Sequence, residues 1–204
     1  MTDLAHAPTS ARDAKKDEVR GRITEALISL LSEGAADLSH DAVAQRAGVG
    51  RRTVYRYFPD RESLMQSAWD QVTGLAGPDV TFPATEAEML GSLEAIYAGF
   101  DRIAPLVTLL RSTPQGRAVR RSQNARRTAG YTAAAADAVK DLPPEDQKLA
   151  TAVLQVLHTT PWLEMRDHWG LEAPQMARAM RWAMSTLLRD LKTRGGRPLG
   201  EEPA

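Results

Sequence analysis

Between residues 38 and 59 stand Arg46, Arg51, Arg52 and Arg56 against a single acid, Asp41, in a chain whose formal net charge is zero. The hydroxyl groups of Thr53, Tyr55 and Tyr57 interleave with the last three of these arginines. Guanidinium groups suit bidentate contact to phosphate and to the guanine edge, and hydroxyls add shorter contacts to phosphate. With no net charge on the whole chain, attraction to a polyanion has to come from such local clustering. The same residue types also read as a solvated charged face whose tyrosines cover a small core. Composition alone leaves both readings open.

The elements around the cluster narrow the choice. Ser39 is a good N-cap and Asp41 falls in the first turn of the helix it opens, where the helix dipole favours an acid. That helix lasts about two turns, through Arg46, before Ala47-Gly48-Val49 makes a tight turn. A second short helix follows with Val49, Val54 and Phe58 on its apolar side, stopped by Pro59, and Asp60 caps the next one. Two short helices joined by a glycine turn form a helix-turn-helix. Upstream, Val19, Ile23, Ala26, Leu27, Leu30 and Leu31 make one helical stripe closed by Gly34.

Downstream, the connection at 74–83 is marked by glycine and proline, and helical stretches are predicted at 86–102, 105–111, 114–140 and 144–160. Pro174 precedes a last stripe, Met176, Met180, Ala183, Met184, Leu187, Leu188 and Leu191. The fold class is all-α. The division predicted is a tail over 1–15, a helix-turn-helix domain with its linking helix over 16–73, a larger helical domain over 84–192, and a second tail over 193–204. Ala118, Ser122, Ala125, Ala129, Ala133 and Ala136 would let a neighbour approach closely, which places the 114–140 helix at the centre of its domain. Pro161 either starts a new helix, with Thr160 as its N-cap, or kinks one long helix.

Residues 38–64 closely resemble the TetR family of bacterial transcriptional regulators. The resemblance is carried by Ser39, Val43, Ala44, Ala47, Gly48, Val49, Thr53, Tyr55, Tyr57, Phe58, Asp60, Arg61, Glu62, Ser63 and Leu64. Gly50 stands where the family usually has serine, and Arg61 where lysine is commoner. The resemblance implies a homodimeric repressor on a pseudo-palindromic double-stranded DNA operator, released when a small-molecule effector binds the helical domain; a cytoplasmic location is expected from the lack of a membrane span, a leader and cysteine. It assigns base edges to Arg51 and Arg52, and phosphates to Thr53, Tyr55 and Tyr57 with Ser39 and Arg61 on the flanking helices. Tyr55 also reaches a base edge or thymine methyl in this reading, and Arg56 is either a contact or a group lying along the surface.

For the larger domain the candidates are broader. Tyr97, Phe100, Asn124, Arg127, Tyr131 and His158 are the expected effector-pocket residues, each weighed against ordinary core packing. Trp162, Met176, Met180, Trp182, Met184, Leu187 and Leu191 are the expected dimer interface. Six arginines in 111–127 (Arg111, Arg117, Arg120, Arg121, Arg126 and Arg127) have no acid among them. They are expected to form a solvated face paired with acids of neighbouring helices; an anion clamp is the sharper alternative and a second nucleic-acid surface a weaker one.

Other classes find no support. The chain has no cysteine, so disulfides and thiolate metal sites are excluded. The four histidines, His6, His40, His158 and His168, show no metal-ligand spacing. No nucleophile elbow or phosphate-cradling glycine loop is present, so neither catalysis nor a cofactor is expected. No apolar run approaches the length of a membrane span and the opening segment lacks the apolar centre of a secretory leader. The competing function is a helical, dimeric binding or interaction protein in which the helix-turn-helix is only a scaffold.

Overall fold

Apolar residues three or four positions apart share shelter only if the chain winds, and in the computed structural model it winds almost throughout. The structure describes residues 11–78 and 80–201, and among these there are twelve helices and no strand. The first four are α1 (Ala11–Ser32), α2 (His40–Ala47), α3 (Arg51–Tyr57) and α4 (Arg61–Ala76). Then come α5 (Glu86–Gly91), α6 (Leu93–Arg102), α7 (Ala104–Ser112), α8 (Pro114–Arg121), α9 (Asn124–Val139), α10 (Pro144–Thr159), α11 (Trp162–Trp169) and α12 (Ala173–Thr193). Their starts follow local chemistry: Thr85 and Thr113 accept from the N–H groups of Glu88 and Gly116, and Glu172 with Gln175 forms a capping box. None of the described helices is long and apolar enough to cross a membrane.

Two cores result. The first joins Ile23, Leu27 and Leu31 of α1 to Val43, Val54, Phe58, Leu64 and Ala68. The second is built on Met89, Leu93, Tyr97, Tyr131, Leu154, Trp162, Met176 and Met184. Leu106, Leu110 and Val119 belong to the first core although they lie far along the chain, while Val107 faces the second. Helix α7 is thus wedged between the cores. Bare Gly99 on α6 lets the C-terminal end of α4 dock there: a Cβ would stand 2.6 Å from the Ala76 carbonyl oxygen.

Several expectations need correcting. Helix α1 begins at Ala11, so 11–15 are helical; 1–10 of the expected tail lie outside the described residues. At the other end, 194–201 pack back instead of fraying. The buried Arg194 donates to the Pro198 and Glu201 carbonyls, and the Leu199 N–H donates to Asp146 at 3.0 Å. Residues 202–204 lie outside the described residues.

The 114–140 helix is two helices, broken at Ser122-Gln123. Ser122 Oγ donates to the Val119 carbonyl, and the fully buried Gln123 sends its amide across to Gln66 of α4. Nor is α9 central on its alanine face: Ala125, Ala129, Ala133 and Ala136 are exposed, and Tyr131, Ala134, Ala135, Ala138 and Val139 are buried instead. Tyr131 and Val139 shelter more apolar area than alanines do, and that selects the buried face.

At Pro161 the chain breaks rather than kinks. Thr160 keeps helical angles (φ −82, ψ −35) and closes α10, so it is not the N-cap of the next helix. A proline leaves the carbonyl four residues earlier without its N–H; here that is Leu157, and the Tyr97 hydroxyl donates to it at 3.1 Å. The Thr159 carbonyl is taken by Arg111 Nη2 at 2.7 Å.

One buried group makes the second core sensitive to acid. His158 is fully enclosed; its Nδ1 accepts from the Tyr131 hydroxyl at 2.6 Å and Nε2 faces Ser92 Oγ at 3.2 Å. Burial lowers its pKa from 6.5 to about 4, against a smaller upward pull from the Met89 carbonyl. The neutral ring's contribution to stability is complete above pH 6.5 and is lost as the pH falls to about 4. In that window the unfolded chain binds a proton that the folded one does not. The whole effect is on the order of 3 kcal/mol. Urea unfolding of the wild type and His158→Gln across this range checks it: the wild-type stability should fall more steeply with acid than that of the variant.

Candidate nucleic-acid interface

Helices α2 and α3 are held at a fixed angle by short-range chemistry. Ser39 Oγ accepts from the Ala42 N–H at 3.2 Å and donates to Asp37 Oδ2 at 2.8 Å. Gly48 closes α2 with φ +63 and ψ +36, a left-handed conformation that a side chain would strain. Gly50 precedes α3 in an extended conformation and offers no side-chain cap. Val54 and Phe58 are buried in the first core. A capping box between Asp60 and Ser63 starts α4. From α1, Arg22 donates to the Ala47 carbonyl at 2.9 Å and Arg20 lies over the Phe58 ring.

This framework presents α3 outward. Arg51, Arg52, Tyr55 and Arg56 are exposed on it, Thr53 and Tyr57 are half-buried, and Arg61 is exposed at the first turn of α4. Ser39 is half-buried and engaged as a cap. Arg51 forms an ion pair with Asp41 at 3.0 Å and lies over the Tyr55 ring; contact with Tyr55 and the Asp41 charge raise its pKa. Arg56 lies over Tyr57. Arg52 forms no ion pair among the described residues, which leaves its fork available. Arg46 is different. It grips both carboxylate oxygens of Glu33 at 2.6 and 2.7 Å and holds that carboxyl down at about 2, so its task is to fasten α2 to α1.

The reading of spacing missed His40. It is buried; Nε2 donates to the Phe58 carbonyl at 2.8 Å and the ring stacks on Tyr55 with centroids 4.2 Å apart. It therefore ties α2 to the end of α3 and sets the tyrosine's orientation. The available signal was an imidazole directly after the N-cap, within reach of a helix end that lacks an N–H partner.

Of the expected pocket residues, Tyr97, Tyr131 and His158 are buried in the second core, Tyr131 bonded to His158 and Tyr97 to the Leu157 carbonyl. Phe100 borders open space; Asn124 is exposed, and Arg127 lies over Trp69 and Phe82. A cavity of about 160 Å³ is bounded by Trp69, Thr73, Phe82, Ile96, Phe100 and Tyr131. A smaller one of about 60 Å³ shares Trp69, Thr73 and Phe100 and reaches Val72, Arg111 and Arg120. The wall supplied by α4 was not anticipated, because Trp69 reads as one more apolar residue of the linking helix.

The dimer expectation needs a larger correction. Trp162, Met176, Met184 and Leu191 are buried inside the chain, and Met180 and Leu187 are half-buried. Trp162 has its own enclosure: its indole donates to Asp101 at 2.8 Å, with Arg166 over its face. Trp182 alone of that set is exposed, at 74%. Leu149, Val153 and Val156, one face of α10, are also exposed. The arginines of 111–127 form no ion pair among the described residues, so the expected pairing with neighbouring acids is overturned.

Replacing His40 by Phe keeps a ring against Tyr55 but strips the buried Phe58 carbonyl of its donor. The expected loss is about 1–3 kcal/mol of stability, read from urea unfolding at neutral pH. An unchanged midpoint would remove His40 from the framework.

Residues 23–68 match the family described as bacterial regulatory proteins, tetR family. No curated protein matches the chain. Among solved structures, a TetR transcriptional regulator from Rhodococcus sp. RHA1 is similar at 22% identity, over 85% of this chain and 98% of that one, with a TM-score of 0.43. The matched residues run from Ile23 of α1 to Ala68 of α4 and so contain the whole helix-turn-helix. Residues 23–68 thus form an N-terminal helix-turn-helix domain that matches the tetR family of bacterial regulatory proteins.

Proposed function

We propose that the chain is a cytoplasmic, homodimeric repressor that occupies a pseudo-palindromic operator and leaves it when a small-molecule effector fills the cavity beside α4. The observation that carries this is the double use of α4. Its first turn presents Arg61 next to the recognition helix, and its later turns supply Trp69, Val72, Thr73 and Ala76 to the cavity walls. A helix of this length is about 24 Å long and moves as a rod, so a ligand pressing on one end displaces the other. Operator and effector must then weaken each other's binding by the same factor.

On α3, Arg51 and Arg52 read base edges, with Arg52 the freer of the two. Thr53, Tyr55, Tyr57, Ser39 and Arg61 hold phosphates, and Arg56 lies beside Tyr57 at the edge of the contact. The exposed apolar face of α10, with Trp182 of α12, supports a second copy as partner. Two reading heads would meet half-sites about 34 Å apart, one helical turn of DNA. No catalytic step enters this reading.

Selection of bound sequences from random duplex DNA tests the operator reading. The wild type should enrich a pseudo-palindrome, and Arg51→Ala/Arg52→Ala should lose that preference. Arg61→Ala should weaken binding to every sequence and lower the salt slope by about one unit. A wild type that enriches no sequence would overturn it. Sedimentation tests the pairing: the wild type should run as a dimer and Val153→Glu/Trp182→Glu as a folded monomer. A monomeric wild type would sink the two-fold reading.

A further inference from the structure

Three guanidinium groups converge beside the cavity with no counter-ion among the described residues. Arg111 of α7 and Arg120 of α8 line the smaller of the two adjoining cavities, and Arg127 of α9 lies over Trp69 and Phe82 of their walls, at 5.5 and 5.2 Å from the ring centres. Arg111 donates to the Thr159 carbonyl and faces the Phe100 ring at 5.6 Å. Arg127 donates to the Arg120 carbonyl at 3.2 Å and to Asn124 Oδ1 at 3.1 Å. Arg120 makes no side-chain hydrogen bond among the described residues. The one described carboxylate in the cavity walls, Asp70, accepts from Gln66 at 2.8 Å and pairs with no arginine.

Such an arrangement is costly as it stands. Burial lowers the pKa of all three, that of Arg111 to about 10, and their like charges lower Arg111 and Arg127 further. Partly desolvated cations facing one another are stabilised by an anion placed between them, and a guanidinium fork matches a carboxylate in two parallel hydrogen bonds. Trp69, Phe100 and Phe82 give the space flat aromatic walls, with Asp70, Thr73 and Arg126 at its polar side. An apolar cavity of about 150 Å³ accepts a benzene-sized molecule, so the space here suits one ring and excludes a nucleotide.

We propose that the cavity takes a small carboxylate with a single aromatic ring, its charge against Arg111 and Arg120 and its ring between Trp69 and Phe100. This rests on the effector reading above and names the chemical class of that effector. An anion drawing Arg111 and Arg120 together also draws α7 and α8 towards α4, which connects occupancy to the position of the reading head.

The probes are benzoate, benzamide as its neutral counterpart, and acetate as the charge without the ring, titrated into the full-length protein by calorimetry. Benzoate should bind at millimolar concentration or below, and benzamide and acetate at least about tenfold more weakly. Arg120→Gln should weaken benzoate about tenfold or more and leave benzamide unchanged; the Arg120 side chain makes no hydrogen bond among the described residues, so its replacement should not unfold the chain. Arg111→Gln is the second variant, with the same expectation. Equal affinity for benzoate and benzamide, no benzoate binding, or an unaffected Arg120→Gln would overturn the assignment. Release of the selected operator duplex is measured in parallel. Benzoate that binds through Arg120 without releasing DNA leaves the anion site standing and sinks the effector reading. Release by benzamide but not benzoate does the reverse.

Discussion

Helix α4 completes the first core and docks its C-terminal end on α6 of the second, and that double attachment constrains everything else in the molecule. Leu64, Met65, Ala68 and Val72 complete the shelter around the helix-turn-helix, while Ala76 sits against bare Gly99 of α6. A helix buried at both ends cannot shift one end alone without opening a gap, and interiors packed near crystalline density resist gaps. The same helix offers Trp69 and Thr73 to an open cavity between those ends. These cavities therefore lie where the helix-turn-helix domain joins the larger one.

The polar interior follows two different rules. Around His158 every polar atom has found a partner: Tyr131 and Ser92 hold the ring, Tyr97 takes the carbonyl that Pro161 leaves open, and the neutral imidazole is the result. A neutral group can be buried at modest cost once its hydrogen bonds are made. Beside the cavity, Arg111, Arg120 and Arg127 keep their charge, because even a depressed guanidinium pKa lies far above neutrality. Aromatic faces and carbonyl oxygens soften their repulsion without cancelling it. The first group is core and the second is a surface turned inward, although Tyr97, Tyr131 and His158 of the first and Arg127 of the second shared one set of candidate pocket residues.

The helix-turn-helix was legible in the sequence because its determinants are local. Ser39 as a cap, Gly48 in the left-handed turn, Val54 and Phe58 as the small core and Asp60 as the next cap all act within a few residues of where they stand. The exposure of Arg51, Arg52, Tyr55 and Arg56 follows from the helical period once those points are set. His40 escaped notice because its partner, the Phe58 carbonyl, is 18 positions away and becomes a neighbour only when the two helices cross.

In the larger domain the sequence by itself determined helices and several of their starts, where prolines, threonines and capping pairs act on the adjacent backbone. Which face each helix buries was decided by tertiary structure. The alanine stripe of α9 lost to Tyr131 and Val139, and the α12 stripe went largely into the chain's own core instead of a partner's. Periodicity marks an apolar face but says nothing of what covers it, since a core, a ligand and a second subunit reward the same side chains. Likewise the arginines of 111–127 were visible as unpaired within their own segment. Only the packing of α7, α8 and α9 against α4 showed that no described acid meets them, because charge pairing depends on distances across helices that sequence separation does not encode.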